Sequence, residues 1–337
     1  DMEQVRLDQL VSHFPKTFLT PVPESIITGI TLDSRQVEPG YIYIALEGRS
    51  VDGHRFIPEA VDQGAAAVVG TQPGIEIEIP YLKVSDARLG VAQLSAAFYG
   101  FPARELTVIG VTGTDGKTTT ANLIFNILKA AKIQAGMITT VNAQIGDKVL
   151  DTGFHVTTPE APLVQGYLAE MVSAGLTHVV LEATSHGLEQ KRVAACDFDI
   201  GVVTNITHEH LDYHGSYEEY LAAKGSLLAE LSRSAVKDHA VPRLAVVNRD
   251  DSSFDYLDRL VADLGSGVKT VSYGMRPCAQ VSASGVSAGP SGLDFAVQIG
   301  DQHPIGIRSS LVGDYNVSNC LAAISATAVG LKIDGPY

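Results

Sequence analysis

The spacing of apolar and polar positions divides the chain into two parts. In the first, Tyr41 to Leu46 alternates after a turn at Glu38-Pro39-Gly40, which predicts a short half-buried strand. Pro58 to Gly64 has helical spacing with Gly64 as its stop, and Ala65 to Val69 and Tyr81 to Val84 read as strands. Asp86 to Tyr99 reads as a helix that the breaker Gly100-Phe101-Pro102 ends. In the second part the apolar runs are continuous instead of alternating. Leu106 to Val111, Gly136 to Thr139, His178 to Ala183, Ile200 to Asn205 and Leu244 to Asn248 predict buried strands. Helical spacing falls between them, at Thr118 to Ala131, Pro162 to Ala174 and Tyr217 to Leu231. From Lys269 to Gly313 short runs broken by glycine and proline predict a small antiparallel sheet, and Asp314 to Val329 a helix beginning at Asn316. The fold class is therefore α/β: a small N-terminal α/β domain over residues 1–104, then a mostly parallel sheet with a small antiparallel subsheet over residues 105–332.

Composition narrows the function classes. A chain of 337 residues, 45% hydrophobic and 18% charged, has the make-up of a soluble protein of two domains. No run is long and apolar enough to span a bilayer and the start lacks a secretory layout, so the expectation is a cytoplasmic protein with no membrane partner. A formal charge of -14 argues against nucleic acid as a partner, since non-specific binding needs a basic surface. Cys196, Cys278 and Cys320 lack metal-ligand spacing and read as core-filling residues in a reducing compartment.

The candidate chemistry centres on GVTGTDGKTTT, Gly110 to Thr120, placed between a buried strand and a helix. In that setting backbone N–H groups and the positive end of the helix receive phosphate oxygens, Lys117 neutralises them, and the Thr118 hydroxyl binds an accompanying Mg²⁺. The spacing departs from the general phosphate-loop pattern, because Val111 stands where a glycine is expected and the glycines are Gly110, Gly113 and Gly116. Glu182 ends an apolar strand, which suits a magnesium ligand as well as a solvated strand end. TNITHEHLDYHG gathers His208, His210 and His214 with Glu209 and Asp212. That is the composition of a zinc site, or of one histidine supplementing oxygen ligands beside the phosphate loop. Lys224, in the helical YLAAKGSLL, reads either as a surface lysine or as a buried reactive amine. Thr157 and Thr158, with Thr184, Ser185, Gln190 and Arg192, resemble the lining of a site for an anionic, hydroxyl-rich substrate; helix capping is the plainer alternative.

Together GVTGTDGKTTT, TTPEAP, LEATSHGLEQKR, TNITHEHLDYHG, YLAAKGSLL and GDYNVSN resemble the Mur ligase family, in the order that family has them. LDSR, PGYIYIAL and DGHRFIPEAVDQGAAAVV are similar to its uridine-binding N-terminal domain, and SHGLEQKR with TTPEAP favours the branch that adds the third amino acid of the peptidoglycan precursor. The resemblance implies an ATP-dependent amide ligase acting on UDP-N-acetylmuramoyl-L-Ala-D-Glu and an amino acid such as diaminopimelate, lysine or ornithine, through an acyl phosphate. It implies that Gly113, Thr114, Asp115, Gly116, Lys117, Thr118 and Thr119 hold ATP with Asn316 beside the adenine, and that two Mg²⁺ sites draw on Thr118, Glu182, His210 and a carbamylated Lys224. Lys117, Glu182, His210 and Lys224 are then the catalytic set. Leu32 and Ser34 match uridine-site positions, and Thr157, Thr158, Thr184, Gln190 and Arg192, with Ser185 adjacent, match the muramoyl-peptide site. Asp115, Glu209 and Arg49 to Val51 depart from the family's commoner residues. No DNPR-like motif of the family's C-terminal domain occurs, so the expectation is a chain cut short of that domain, inactive alone; the alternative is a non-catalytic nucleotide-binding relative.

Overall fold

The computed structural model describes residues 5–19, 22–48, 51–151, 157–207, 216–239, 241–265, 267–276 and 278–333. The chain divides into two compact units. The first comprises the residues up to Pro102 with Glu160–Gly166 and Gln190–Ala195; the second comprises Ala103–Pro159, Tyr167–Glu189 and the residues from Cys196 onward.

In the first unit a parallel four-stranded sheet runs Gly29–Thr31, Tyr41–Ile44, Ala67–Gly70, Tyr81–Lys83, in chain order. Successive side chains of a strand point to opposite faces, and the two cores follow from that alternation. Ile42 and Ile44 pack with Val91 and Leu94 of the helix Ala87–Phe98, whereas Tyr43 packs with Ile57 and Ala60 of the helix Ile57–Asp62. Asp86 starts the longer helix by accepting a hydrogen bond from Leu89 N at 3.0 Å.

The second unit is built on an eleven-stranded sheet. Its middle is parallel, in the order Lys269–Gly274, Leu244–Asn248, Ile200–Val203, Thr107–Thr112, His178–Glu182, Ala135–Ile138. Every residue of Thr107–Thr112 is buried, as a strand covered on both faces requires. Central position places the loop after Thr112 between the ends of two neighbours: Thr112 pairs with Val203 on one side and Val111 with Glu182 on the other. At the opposite end of the same strand, Lys237 Nζ donates to Leu106 O at 2.8 Å and to Asp199 Oδ2 at 2.6 Å.

The parallel strands, the helices Lys117–Ala130, Ala161–Ser173 and Tyr217–Arg233, and the α/β class agree with the sequence reading. Four points correct it. Lys269–Gly274 belongs to the parallel order, Val281–Gly289 pairs with it in parallel, and Gly292–Ile299 and Ile305–Ser309 then extend the main sheet by antiparallel pairing. A second antiparallel pair, Asn142–Ile145 and Lys148–Asp151, forms the other edge from residues with no clear strand pattern. The last helix is α-helical only over Tyr315–Ile324 and widens to a π-helical turn over Ser325–Gly330. Cys196 and Cys320 are buried, but Cys278 is exposed and fills no core. Among the described residues no helix is long and apolar enough to cross a membrane.

His178 opens its strand with Nδ1 2.8 Å from Thr177 Oγ1, and burial, with His239 nearby, pushes its pKa down to about 4. The folded state thus disfavours the imidazolium that the unfolded chain forms near pH 6.5. Stability is complete above that pH and falls as pH drops toward 4, by about 2–3 kcal/mol from this residue. Urea unfolding measured from pH 7 to pH 4 should show that slope, and His178→Gln should flatten it.

Candidate active site

Gly113 to Thr119 leave the carboxyl end of the central strand and enter the helix Lys117–Ala130, where open α/β sheets hold ligands. Two glycines make the path possible. Gly113 has φ +152 and a Cβ there would lie 1.8 Å from Thr204 Oγ1; Gly116 has φ +76 and a Cβ there would lie 2.2 Å from Asn319 Oδ1. No larger residue fits either place without moving its neighbour.

The loop is tied down from behind. Thr114 N donates to Asn205 O and Asp115 N to Asn205 Oδ1, both at 2.8 Å, so one asparagine takes two successive N–H groups. Thr204 Oγ1 donates to Asp115 O at 2.5 Å. Thr114, buried, turns its hydroxyl inward to Tyr220 OH at 3.1 Å and accepts from Thr207 N at 3.0 Å. Lys117 Nζ bends back to Thr114 O at 2.8 Å. The first loop or helix N–H with an acceptor inside the helix is that of Thr120, on Gly116 O at 2.8 Å. The N–H groups of Lys117, Thr118 and Thr119 therefore lie in the first turn, where the helix itself supplies no acceptor and an anion is favoured.

Two charged side chains stand beside the loop. The Thr118 hydroxyl donates to Glu182 Oε2 at 2.9 Å, and Glu182 is only 2% exposed. Among the described residues no cation pairs with that carboxylate. A buried carboxylate beside a hydroxyl and a phosphate-type loop is an oxygen donor set that suits Mg²⁺. Lys224 is 1% exposed; its Nζ donates to Gly113 O at 2.5 Å and lies 4.6 Å from the centre of the Tyr220 ring. Of the two readings of this lysine, the surface one is excluded. His210, with His208, Glu209, Asp212 and His214, lies outside the described residues.

The hydroxyl group of candidates separates into two sets. In the second unit, Thr184 Oγ1 is 2.8 Å from Thr157 Oγ1 and 3.2 Å from Thr158 Oγ1, and Thr158 Oγ1 donates to Glu182 O at 3.3 Å. Ser185, buried, follows directly. In the first unit, Arg192 Nη2 and Nε donate to Gln190 Oε1 at 2.7 and 3.1 Å, and Arg192 pairs with Glu160 at 2.5 Å. Also in the first unit, Ser34 is buried and donates to Glu59 Oε2 at 2.6 Å, while Leu32 packs half-buried on the core. Asn316 is buried, donating to Val312 O and accepting from Asn319 Nδ2, both at 2.9 Å. Asn205, Thr204, Tyr220 and Asn319 escaped the sequence reading. The one available signal was the polar pair Thr204-Asn205 directly after an apolar strand.

The model of the Mur ligase middle domain matches residues 111–327, and that of the Mur ligase family catalytic domain matches residues 26–99. The chain belongs to the Mur ligase family. It is 39% identical to the UDP-N-acetylmuramoyl-L-alanyl-D-glutamate–2,6-diaminopimelate ligase of Geobacillus kaustophilus, over 96% of this chain and 64% of that protein. It is 39% identical to the UDP-N-acetylmuramyl-tripeptide synthetase of a Roseiflexus species, over 98% of this chain and 65% of that protein. A solved UDP-N-acetylmuramoyl-L-alanyl-D-glutamate–2,6-diaminopimelate ligase superposes with a TM-score of 0.83 at 27% identity, covering 98% of this chain and 64% of that one. The chain thus spans a little under two thirds of the length of these relatives.

In this member of the Mur ligase family the two hydrogen bonds that Asn205 accepts give a direct test of the loop as a phosphate site. Asn205→Ala removes the acceptor for Asp115 N and leaves Asn205's backbone bond to Thr114. Affinity for an ATP analogue, measured by titration calorimetry, should fall by about tenfold with the melting temperature little changed.

Proposed function

We propose that this chain is the nucleotide- and precursor-binding part of an ATP-dependent amide ligase that extends UDP-N-acetylmuramoyl-L-Ala-D-Glu by its third amino acid. The carrying observation is the braced loop Gly113 to Thr119 with the buried Glu182 carboxylate on the Thr118 hydroxyl. The diaminopimelate named for its relatives is the first candidate for the added amino acid, ahead of lysine and ornithine. Such precursors are made on the cytoplasmic side, so the cytoplasm is the proposed location.

In this reading the first-turn N–H groups of Lys117, Thr118 and Thr119 bind and orient the ATP phosphates, and Lys117 leaves the Thr114 carbonyl to meet the outer ones. Asn316 would sit beside the adenine. Thr118 and Glu182 would hold one Mg²⁺, and His210 with a carbamylated Lys224 a second. Those ions supply positive charge where the anionic phosphate and the anionic carboxylate of the D-glutamate must meet. Carbamylation replaces the buried Lys224 cation with an oxygen anion, the charge a second ion needs. Thr157, Thr158, Thr184, Ser185, Gln190 and Arg192 would contact the muramoyl peptide, and Leu32 and Ser34 the uridine. Holding the two reactants in line is the main demand, because the carboxylate oxygen must displace ADP from the γ-phosphorus and the amine must then displace phosphate from the acyl carbon.

The test is phosphate release by the full coding sequence with UDP-N-acetylmuramoyl-L-Ala-D-Glu and a panel of diaminopimelate, lysine and ornithine. Release should require both the dipeptide and one amino acid; release that ignores the dipeptide would sink the ligase reading. Glu182→Gln and Lys224→Ala should each lower kcat by about a hundredfold or more. Intact mass of the native protein should show Lys224 carrying one added CO₂.

A further inference from the structure

Gln190 in the first unit is an acceptor shared by two cations. Its Oε1 receives Arg192 Nη2 at 2.7 Å and Nε at 3.1 Å, and also Arg88 Nη1 at 3.2 Å. Guanidinium groups that share one neutral oxygen repel each other, and a carboxylate, Glu160, is paired with one of them, Arg192, at 2.5 Å. The next residue, Lys191, is paired with Asp86 at 2.8 Å. Asp86 and Arg88 both belong to the start of the helix Ala87–Phe98, Asp86 being its N-cap. This one helix start therefore grips two consecutive residues of the Gln190–Arg192 segment.

The backbone shows what the grip maintains. Lys191 has φ +55, a left-handed conformation that side chains with a Cβ rarely adopt. Such strain persists where surrounding contacts over-determine it, and here those contacts are the Asp86 pair on Lys191 and the Arg88 bond on Gln190. A left-handed residue between Gln190 and Arg192 lets their side chains meet, as the two hydrogen bonds between them record. The pair of guanidinium groups then offers a planar, donor-rich place for a carboxylate.

We propose that Arg88 is a positioning residue for the precursor: acting through Gln190, it fixes the Gln190–Arg192 pair and adds the second positive charge to the place that receives a carboxylate of the peptide arm. This rests on the reading of Gln190 and Arg192 as part of the muramoyl-peptide site. Arg88 lies outside every motif that suggested that site, and it does so because its partner is 102 residues away in sequence.

The experiment is titration calorimetry of the unsubstituted chain, Arg88→Ala and Arg88→Lys with UDP-N-acetylmuramoyl-L-Ala-D-Glu, with UDP alone, and with an ATP analogue. Arg88→Ala should weaken the dipeptide precursor by about tenfold to a hundredfold and leave UDP and the ATP analogue unchanged. Arg88→Lys keeps the charge but loses the fork, and should recover part of the loss. Undiminished precursor binding by Arg88→Ala overturns the inference, as does an equal loss for precursor and UDP, which marks a purely structural role. Failure of the unsubstituted chain to bind the precursor better than UDP overturns instead the underlying assignment of Gln190 and Arg192.

Discussion

The second unit depends on satisfying the polar backbone where the central strand Thr107–Thr112 stops being a strand. Inside the sheet its N–H and C=O groups are met by its neighbours; beyond Thr112 they need other partners or the loop cannot stay in one shape. Asn205 answers for two N–H groups, Thr204 for the Asp115 carbonyl and Lys224 for the Gly113 carbonyl. All three come from segments that the same sheet delivers: Thr204 and Asn205 follow the adjacent strand Ile200–Val203, and Lys224 lies on the helix Tyr217–Arg233 packed against it. With the rear of the loop satisfied, what remains to bind is the first turn of a fourteen-residue helix. On the proposed reading, a site for phosphate is thus a by-product of parallel strands ending side by side, sharpened by Thr204 and Asn205 from behind the loop.

That division of labour explains what the sequence could and could not tell. Leu106 to Val111 is legible as a buried strand because both faces are covered and its one polar residue is the β-branched Thr107. Lys269–Gly274 pairs in parallel like the others, yet its short alternating run, followed by glycine and proline, imitates an antiparallel edge. Asn142–Ile145 and Lys148–Asp151 carry two apolar residues apiece, and their hairpin is marked by Gly146 at φ +60, a signal too local to name a strand. Lys117, Thr118 and Glu182 could be picked out because their chemistry is carried by residue type at a fixed place on a strand or helix. Asn205, Asn319, Tyr220 and Arg88 could not, because their roles lie in tertiary contacts: Arg88 and Gln190 are brought together by folding, and nothing in either local stretch records it.

A lysine meets the backbone at each end of the central strand. Just before it, Leu106 O accepts from Lys237 Nζ; just after it, Gly113 O accepts from Lys224 Nζ. Both lysines are buried and both stitch a strand-end carbonyl into the body of the unit. At the first end Asp199 stands 2.6 Å from the ammonium, and burial pushes that carboxyl's pKa up and the Lys237 pKa down while Val108 N and the ion pair hold the charges in place. A lysine so matched is spent on structure. At the second end the same stitch is made beside Thr118, Glu182 and a helix N-terminus, where the proposed carbamylation would turn the amine into an oxygen ligand. Similar geometry at the two ends of one strand therefore yields a fastener at one and, on the proposed reading, a reactive amine at the other, the difference being set by what the neighbouring strand ends bring alongside.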